Sequence, residues 1–109
     1  MATRPDGVDG GAMTTLHIET NVTDYDEWKT VFDKFDRARR DRGVRSYRIS
    51  RPRQDAGTIL IDLDFDSATR AEEFAEFLRG VWRTPQSQGV AAAHAEPVVL
   101  EVLEAVTLS

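Results

Sequence analysis

From Thr14 onward, the apolar and polar positions of the chain follow two repeats. In TTLHIETNV (14–22) the period is two. Leu16, Ile18 and Val22 share one side, with Thr20 as its polar exception, and Thr15, His17, Glu19 and Asn21 share the other. That alternation predicts a half-buried strand. TILIDLDF (58–65) repeats it more strictly: Ile59, Ile61, Leu63 and Phe65 alternate with Leu60, Asp62 and Asp64. VRSYRIS (44–50) reads as a shorter strand, joined to the previous one by a loop containing Pro52, Asp55 and Gly57, which makes a hairpin. VVLEVLEAVTL (98–108) predicts the last strand.

Between the strands the period becomes helical. Tyr25, Trp28, Val31, Phe32 and Phe35 form one apolar stripe within 23–43, and Trp28 belongs to that packing stripe. Thr23 or Asp24 can cap this helix, with Asp26 or Glu27 three residues on. Acidic residues fill its first turn and arginines its last, as the helix dipole favours, and Gly43 stops it. A second helix spans 66–82. Ser67 caps it, and Ala71, Phe74, Phe77, Leu78 and Val81 form its stripe. Pro85 and Gly89 interrupt the helical pattern after Trp82, so 83–97 is expected to be a long loop with a helical turn in VAAAHAE. Residues 1–12, rich in Gly, Asp, Ala and Pro, are expected to be a disordered leader to a domain over 13–109.

The order β-α-β-β-α-β predicts a ferredoxin-like α+β fold, a four-stranded antiparallel sheet with two helices on one face. Its usual strand order is 4-1-3-2. A hairpin centred near residue 55 sets Arg48 opposite Asp62, Ile49 opposite Ile61 and Tyr47 opposite Leu63. The odd-numbered residues of 59–65 then face the helices. His17, Glu19, Asn21, Ser46, Arg48, Ser50, Leu60, Asp62 and Asp64 share the second face, and Glu101 and Leu103 are expected to join them. Asp66 leaves that series because, with Ser67, it opens the second helix.

Composition narrows the chemistry. The chain has 109 residues and no Cys, so one domain is expected, without disulfides, cysteine zinc sites or a cysteine nucleophile. No apolar run approaches the ~20 residues of a membrane helix, and MATRPDGVDGGAM has no signal-peptide core, so a cytoplasmic location is the default. A net charge of −5 argues against nucleic acid as a partner. The one basic cluster, RSYRISRPR (45–53), precedes the acidic strand and is expected to be neutralised by it. No Gly-rich phosphate loop and no G-x-S-x-G motif occurs.

The second sheet face holds most of the remaining chemistry. It is either wet, or covered by an identical sheet, or the wall of a cavity. His17 among carboxylates is either a general acid or base or a structural His paired with one of them. Arg48 is either the holder of an anionic or phenolate ligand or the salt-bridge partner of Asp62. Glu19, Asp62 and Asp64 with His17 have no compact metal-ligand spacing, and no metal is expected. Trp82, at the end of the second helix, and His94, in the following loop, are candidates for a pocket lid; simple packing and exposure are their alternatives.

V-x-D-Y-D-x-W-K after the first strand, G-V-R-S-Y-R-I in the hairpin, L-D-F-D-S entering the second helix and V-W...P before the last strand resemble the dimeric α+β barrel proteins, and most nearly the antibiotic-biosynthesis-monooxygenase-like group. The resemblance covers 14–108. It implies a homodimer of two sheets packed face to face, helices outside, and a pocket between sheet and helices or within the barrel. It also implies a small-molecule enzyme or binder, with cofactor-free oxidation of an aromatic substrate among the activities of the group. Taken with the polar sheet face, it gives the expected mechanism: His17 as base, Arg48 stabilising the anion and Asp62 beside them, with Glu19, Asp64, Trp82 and His94 as expected ligand contacts. The haem-degrading members use an Asn, a Trp and a haem-ligating His in set places. Asn21, Trp82 and His94 are not matched to that motif, and no cofactor is expected. The rival is a non-catalytic dimer or binding module whose charged face is only an interface.

Overall fold

The structure, a computed structural model, describes residues 13–85, 89 and 91–108, with 91–93 by their backbone only. The expected leader over 1–12 lies outside the described residues. Strand β1 is Thr14–Val22, helix α1 Tyr25–Lys34, helix α2 Asp36–Asp41, strand β2 Ser46–Ser50 and strand β3 Thr58–Phe65. Helix α3 is Ala68–Trp82, strand β4 Ala91–His94 and strand β5 Val98–Glu101. All pairing is antiparallel, in the order β2-β3-β1-β4, with β5 also on β1. This is the ferredoxin-like arrangement, with β1 and β3 central.

The alternation seen in the sequence sets the register. Leu16 pairs with Leu63 and Ile18 with Ile61, so apolar side chains meet across the central pair on one face. His17 pairs with Asp62 on the other. In the hairpin, Tyr47 meets Leu63, Arg48 meets Asp62 and Ile49 meets Ile61, as expected. Leu16, Ile18, Ile59, Ile61, Leu63 and Phe65 are buried beneath Trp28 of α1 and Ala71, Phe74 and Ala75 of α3. Each fully buried Leu, Ile or Phe side chain contributes about 1.5–3 kcal/mol.

The helices begin and end where their side chains allow. The Asp24 carboxylate accepts the Glu27 backbone N–H at 3.1 Å, and the Ser67 hydroxyl accepts that of Arg70 at 3.2 Å. At the end of α2, the Gly43 N–H donates to the Arg40 carbonyl and the Val44 N–H to the Arg39 carbonyl. That pair closes a Schellman motif around Gly43, whose φ of 98° suits glycine. The helix expected over 23–43 is tightened once, at Phe35, whose N–H donates to Phe32 three residues back. Neither Pro nor Gly is present to account for that tightening.

The last strand differs from expectation in three ways. First, residues 91–94 form a strand, not a helical turn, because the open edge of β1 takes their backbone bonds. Second, β4 and β5 share that edge with a bulge between them. His94 pairs with Thr20 and Val98 with His17, so three residues (95–97) stand against two (18–19). Third, pairing ends at Glu101 and not at residue 108. Glu101 lies opposite Thr14, the first residue of β1, and Val102 makes one last bond to Met13. Beyond it the strand has no neighbour, and Leu103 is 91% exposed. The same register puts Val99 and Glu101 on the parity of Leu16 and Thr14, which corrects the expectation that Glu101 and Leu103 line the outer face. Among the described residues, no helix is long and apolar enough to cross a membrane.

Two glycines give opposite predictions. Gly43→Ala places a side chain at positive φ without a steric clash, its nearest neighbour being Arg70 Cδ at 3.4 Å. It is expected to cost about 1–2 kcal/mol from backbone strain. Gly80→Ala, inside α3 with nothing within 4 Å, is expected to stabilise by about 0.5–1 kcal/mol. Urea unfolding of both variants checks the two signs.

Candidate functional site

The sheet carries a polar cluster on each face, and the two clusters differ in kind. On the outer face, His17 Nδ1 lies 2.7 Å from Asp62 Oδ1, so the ring N–H donates to the carboxylate. Their cross-strand pairing places them there. Arg48 Nη2 is 3.9 Å from Asp62 Oδ2, and its side chain is 72% exposed, a contact worth at most about 1 kcal/mol. Asp64 accepts the Thr15 hydroxyl at 2.7 Å and the Ser46 hydroxyl at 2.9 Å. Glu19 is exposed. Asp66, at the mouth of α3, pairs with Arg45 at 2.6 Å. The carboxylates of β3 thus have partners on the neighbouring strands, and part of the basic cluster is neutralised as expected. Beside them the face is apolar: Val98 and Leu100 of β5 are 48% and 43% exposed.

Under the sheet lies a cavity of about 70 Å³, partly open to solvent. Its walls are mostly apolar: Ile18, Ile61 and Leu63 from the sheet, Trp28 and Phe32 from α1, Phe35 between α1 and α2, and Phe74, Phe77 and Trp82 from α3. A cavity of about 150 Å³ accommodates benzene, so this one holds roughly half of a one-ring guest, with the remainder at its mouth. Both tryptophans of the chain line it.

Three polar groups interrupt the apolar walls. Thr20, the exception in the alternation of β1, is buried there. Its hydroxyl lies 2.6 Å from His94 Nδ1. His94 stacks on Trp82, with ring centroids 4.1 Å apart and planes 9° from parallel. Burial pushes the His94 pKa below the ordinary histidine value, because a charged ring would lose its hydration. Arg79 of α3 donates to Glu96, two residues beyond His94, at 2.6 and 2.9 Å.

The third group is Arg39 of α2, only 4% exposed. Its guanidinium carbon lies 3.7 Å from the Phe32 ring centroid and 5.3 Å from that of Tyr47. The nearest carboxylate oxygen, Asp36 Oδ1, is 3.8 Å from Nη2, too far for a hydrogen bond. Nε and Nη2 are buried and have no hydrogen-bond partner. Burial lowers the Arg39 pKa, and the charges of Tyr47 and Asp36 together with a side-chain hydrogen bond to Tyr47 oppose that shift. A guanidinium stays charged even so.

The expected site residues therefore divide. His17, Asp62 and Arg48, with Glu19 and Asp64, gather on the outer face. Trp82 and His94 come together on the opposite face and line the cavity, whose walls include neither His17 nor Arg48. Arg39 was not among the expected residues, although a signal for it exists. Trp28, Phe32 and Phe35 continue at helical spacing to position 39, where the stripe carries an arginine in place of an apolar residue.

No family model matches the sequence, and no curated protein matches it. Solved structures do match the fold. A dimeric ferredoxin-like protein from an uncultured marine organism aligns over 87% of this chain and 99% of its own, with a TM-score of 0.61 and 9% identity. A candidate antibiotic biosynthesis monooxygenase from Bordetella bronchiseptica aligns over 87% and 99%, with a TM-score of 0.60 and 15% identity. SnoaB, a cofactor-independent oxygenase from Streptomyces nogalater, aligns over 87% and 96%, with a TM-score of 0.57 and 12% identity. The fold of this chain is the ferredoxin-like fold, and these solved structures share it.

Proposed function

We propose that the protein is a small-molecule enzyme or binder of the antibiotic-biosynthesis-monooxygenase-like type. Its ligand enters the cavity between sheet and helices. The observation that carries this reading is the cavity itself: apolar walls with a few convergent polar groups are what a small-molecule site needs. The Trp82–His94 stack offers a flat wall for an aromatic ring. The fold likeness to a cofactor-independent oxygenase, together with the aromatic walls of the cavity, supports oxidation of an aromatic substrate by O₂ as the chemistry.

In that chemistry a base must remove a proton from the substrate before O₂ reacts with the anion. His17 was the expected base, but it faces away from the cavity. His94 is better placed: burial keeps it neutral, and the tautomer with its proton on Nδ1 toward Thr20 leaves Nε2 free to accept. His17, Asp62 and Arg48 then serve the outer face.

That face supports the companion proposal of a homodimer. Val98 and Leu100 are half-exposed apolar residues beside a paired polar network, which suits burial against an identical sheet. Two of the matching structures are described as dimeric. Leu103, Val106 and Leu108 add apolar surface that the single chain leaves uncovered.

Three outcomes are expected. Purified protein without added cofactor should consume O₂ with a simple phenol above the protein-free rate, and Trp82→Ala and His94→Ala should each lower that rate at least tenfold. Unchanged rates in both variants would remove the cavity from the mechanism. Light scattering at micromolar concentration should give the dimer mass, with Leu100→Asp shifting it to monomer; a wild-type monomer sinks the face-to-face arrangement.

The third concerns pH. The folded pKa of His94 lies below its unfolded value of about 6.5, so the unfolded chain takes up this proton first as pH falls. The contribution is fully present above about pH 6.5 and is lost progressively as pH drops toward and through the folded value. His94→Gln should lack this part of the slope when unfolding is compared at pH 7.5 and 5.5. An NMR titration midpoint for His94 at or above the ordinary value would contradict it.

A further inference from the structure

We infer that Arg39 anchors the ligand by an anionic group, so that the cavity takes a small monoanion, a carboxylate or phenolate, with an apolar body. This rests on the proposal that the cavity binds a small molecule.

The geometry of the guanidinium carries the inference. Nε and Nη2 lie on the same edge of the planar group, the edge that grips a carboxylate with two parallel hydrogen bonds. Both are buried and without a partner, and Arg39 lines the cavity. Tyr47 hydrogen-bonds the guanidinium, yet Nε and Nη2 stay without a partner. Phe32 lies against the face of the cation, while in-plane N–H groups need acceptors. Asp36, at 3.8 Å, is not one of them. A single ligand oxyanion at that edge would satisfy both donors at once.

The walls define the rest of the guest. Beyond Arg39 the polar lining is Thr20 and His94, which bond to each other, and the remaining groups are aliphatic or aromatic. Such walls suit one anionic head and an apolar, ring-bearing body. They do not suit a polyanion, which would leave charge against Phe32, Phe35 and Leu63. The cavity volume admits the head and part of one ring.

Benzoate and benzyl alcohol, alike in shape but not in charge, test this on the intact protein. Binding is read from tryptophan fluorescence, since Trp28 and Trp82 both line the cavity, and from amide shifts. Wild type should bind benzoate at least tenfold tighter than benzyl alcohol. Arg39→Met should lose that preference and keep its affinity for benzyl alcohol. Arg39→Lys, which keeps the charge but not the fork, should weaken benzoate about tenfold and leave benzyl alcohol unchanged; it also serves if the Met variant does not fold. Equal binding of the two probes by wild type overturns the anchor while leaving a small-molecule cavity in place, and so does unaltered benzoate preference in either variant. No binding of either probe at millimolar concentration overturns both.

Discussion

The pairing of β1 with β3 is the constraint on which the rest of the molecule depends. Side chains in a strand alternate with period two, so one register decides the face of every residue on both strands. Leu16 against Leu63 and Ile18 against Ile61 put the apolar set under the helices. The same register must then put His17 against Asp62 and Thr15 against Asp64 on the far side. A slip of one residue would bury the aspartates beneath Phe74 and expose the isoleucines. The acidic residues of β3 are therefore held in place by the hydrophobic residues between them.

Two polar clusters result, with different energetics. On the outer face, polar groups meet polar groups: His17 with Asp62, Asp64 with Thr15 and Ser46. Nothing there needs a ligand. In the cavity the balance is the reverse. Burying a cation costs several kcal/mol even after relaxation, the contacts of Arg39 with Asp36 and Tyr47 recover only part of that, and an apolar residue of similar volume in its place is often neutral or stabilising. Fold stability alone thus gives position 39 no reason to carry a guanidinium. Its cation–π contact with Phe32 offsets part of the cost, by about 2 kcal/mol for a desolvated pair. The two unsatisfied N–H donors remain.

The legible parts of the sequence were those with a strict period. β1 and β3 could be read to the residue because alternation ran through both, with Thr20 as its one polar exception, and the hairpin register came with them. The caps at Asp24, Ser67 and Gly43 were legible because their chemistry is local. The last strand was not. VVLEVLEAVTL has apolar residues at adjacent positions, so its period does not reveal which side faces in, and its end is set by where β1 begins. The strand over 91–94 was hidden because Ala has little strand preference of its own, and pairing with β1 overrides it. The cavity residues were legible only in part. Trp82 and His94 stood out as unusual residues near a loop, but their stack depends on distant backbone geometry. Arg39 was masked by the basic turn around it, where Arg37, Arg40 and Arg42 are surface residues and only the stripe position singles it out.

The bulge between β4 and β5 completes the cavity. If β5 kept its register through residue 94, His94 would lie opposite Asn21 in place of Thr20, since each β5 pair sums to 115 and 115 − 94 = 21. Asn21 has outer-face parity, so the imidazole would point away from Trp82 and leave the Thr20 hydroxyl buried without it. The extra residue in 95–97 turns His94 inward, where it pairs with Thr20. Pro97 suits that segment because a bulge leaves one residue outside the ladder and proline has no N–H to contribute. Ala95 holds the segment on the sheet by donating to the Glu19 carbonyl. The outer face keeps the exposed Val98 and Leu100 on β5, and the inner face gains a histidine. One inserted residue lets a single edge of β1 supply apolar surface to one side of the sheet and a buried histidine to the other.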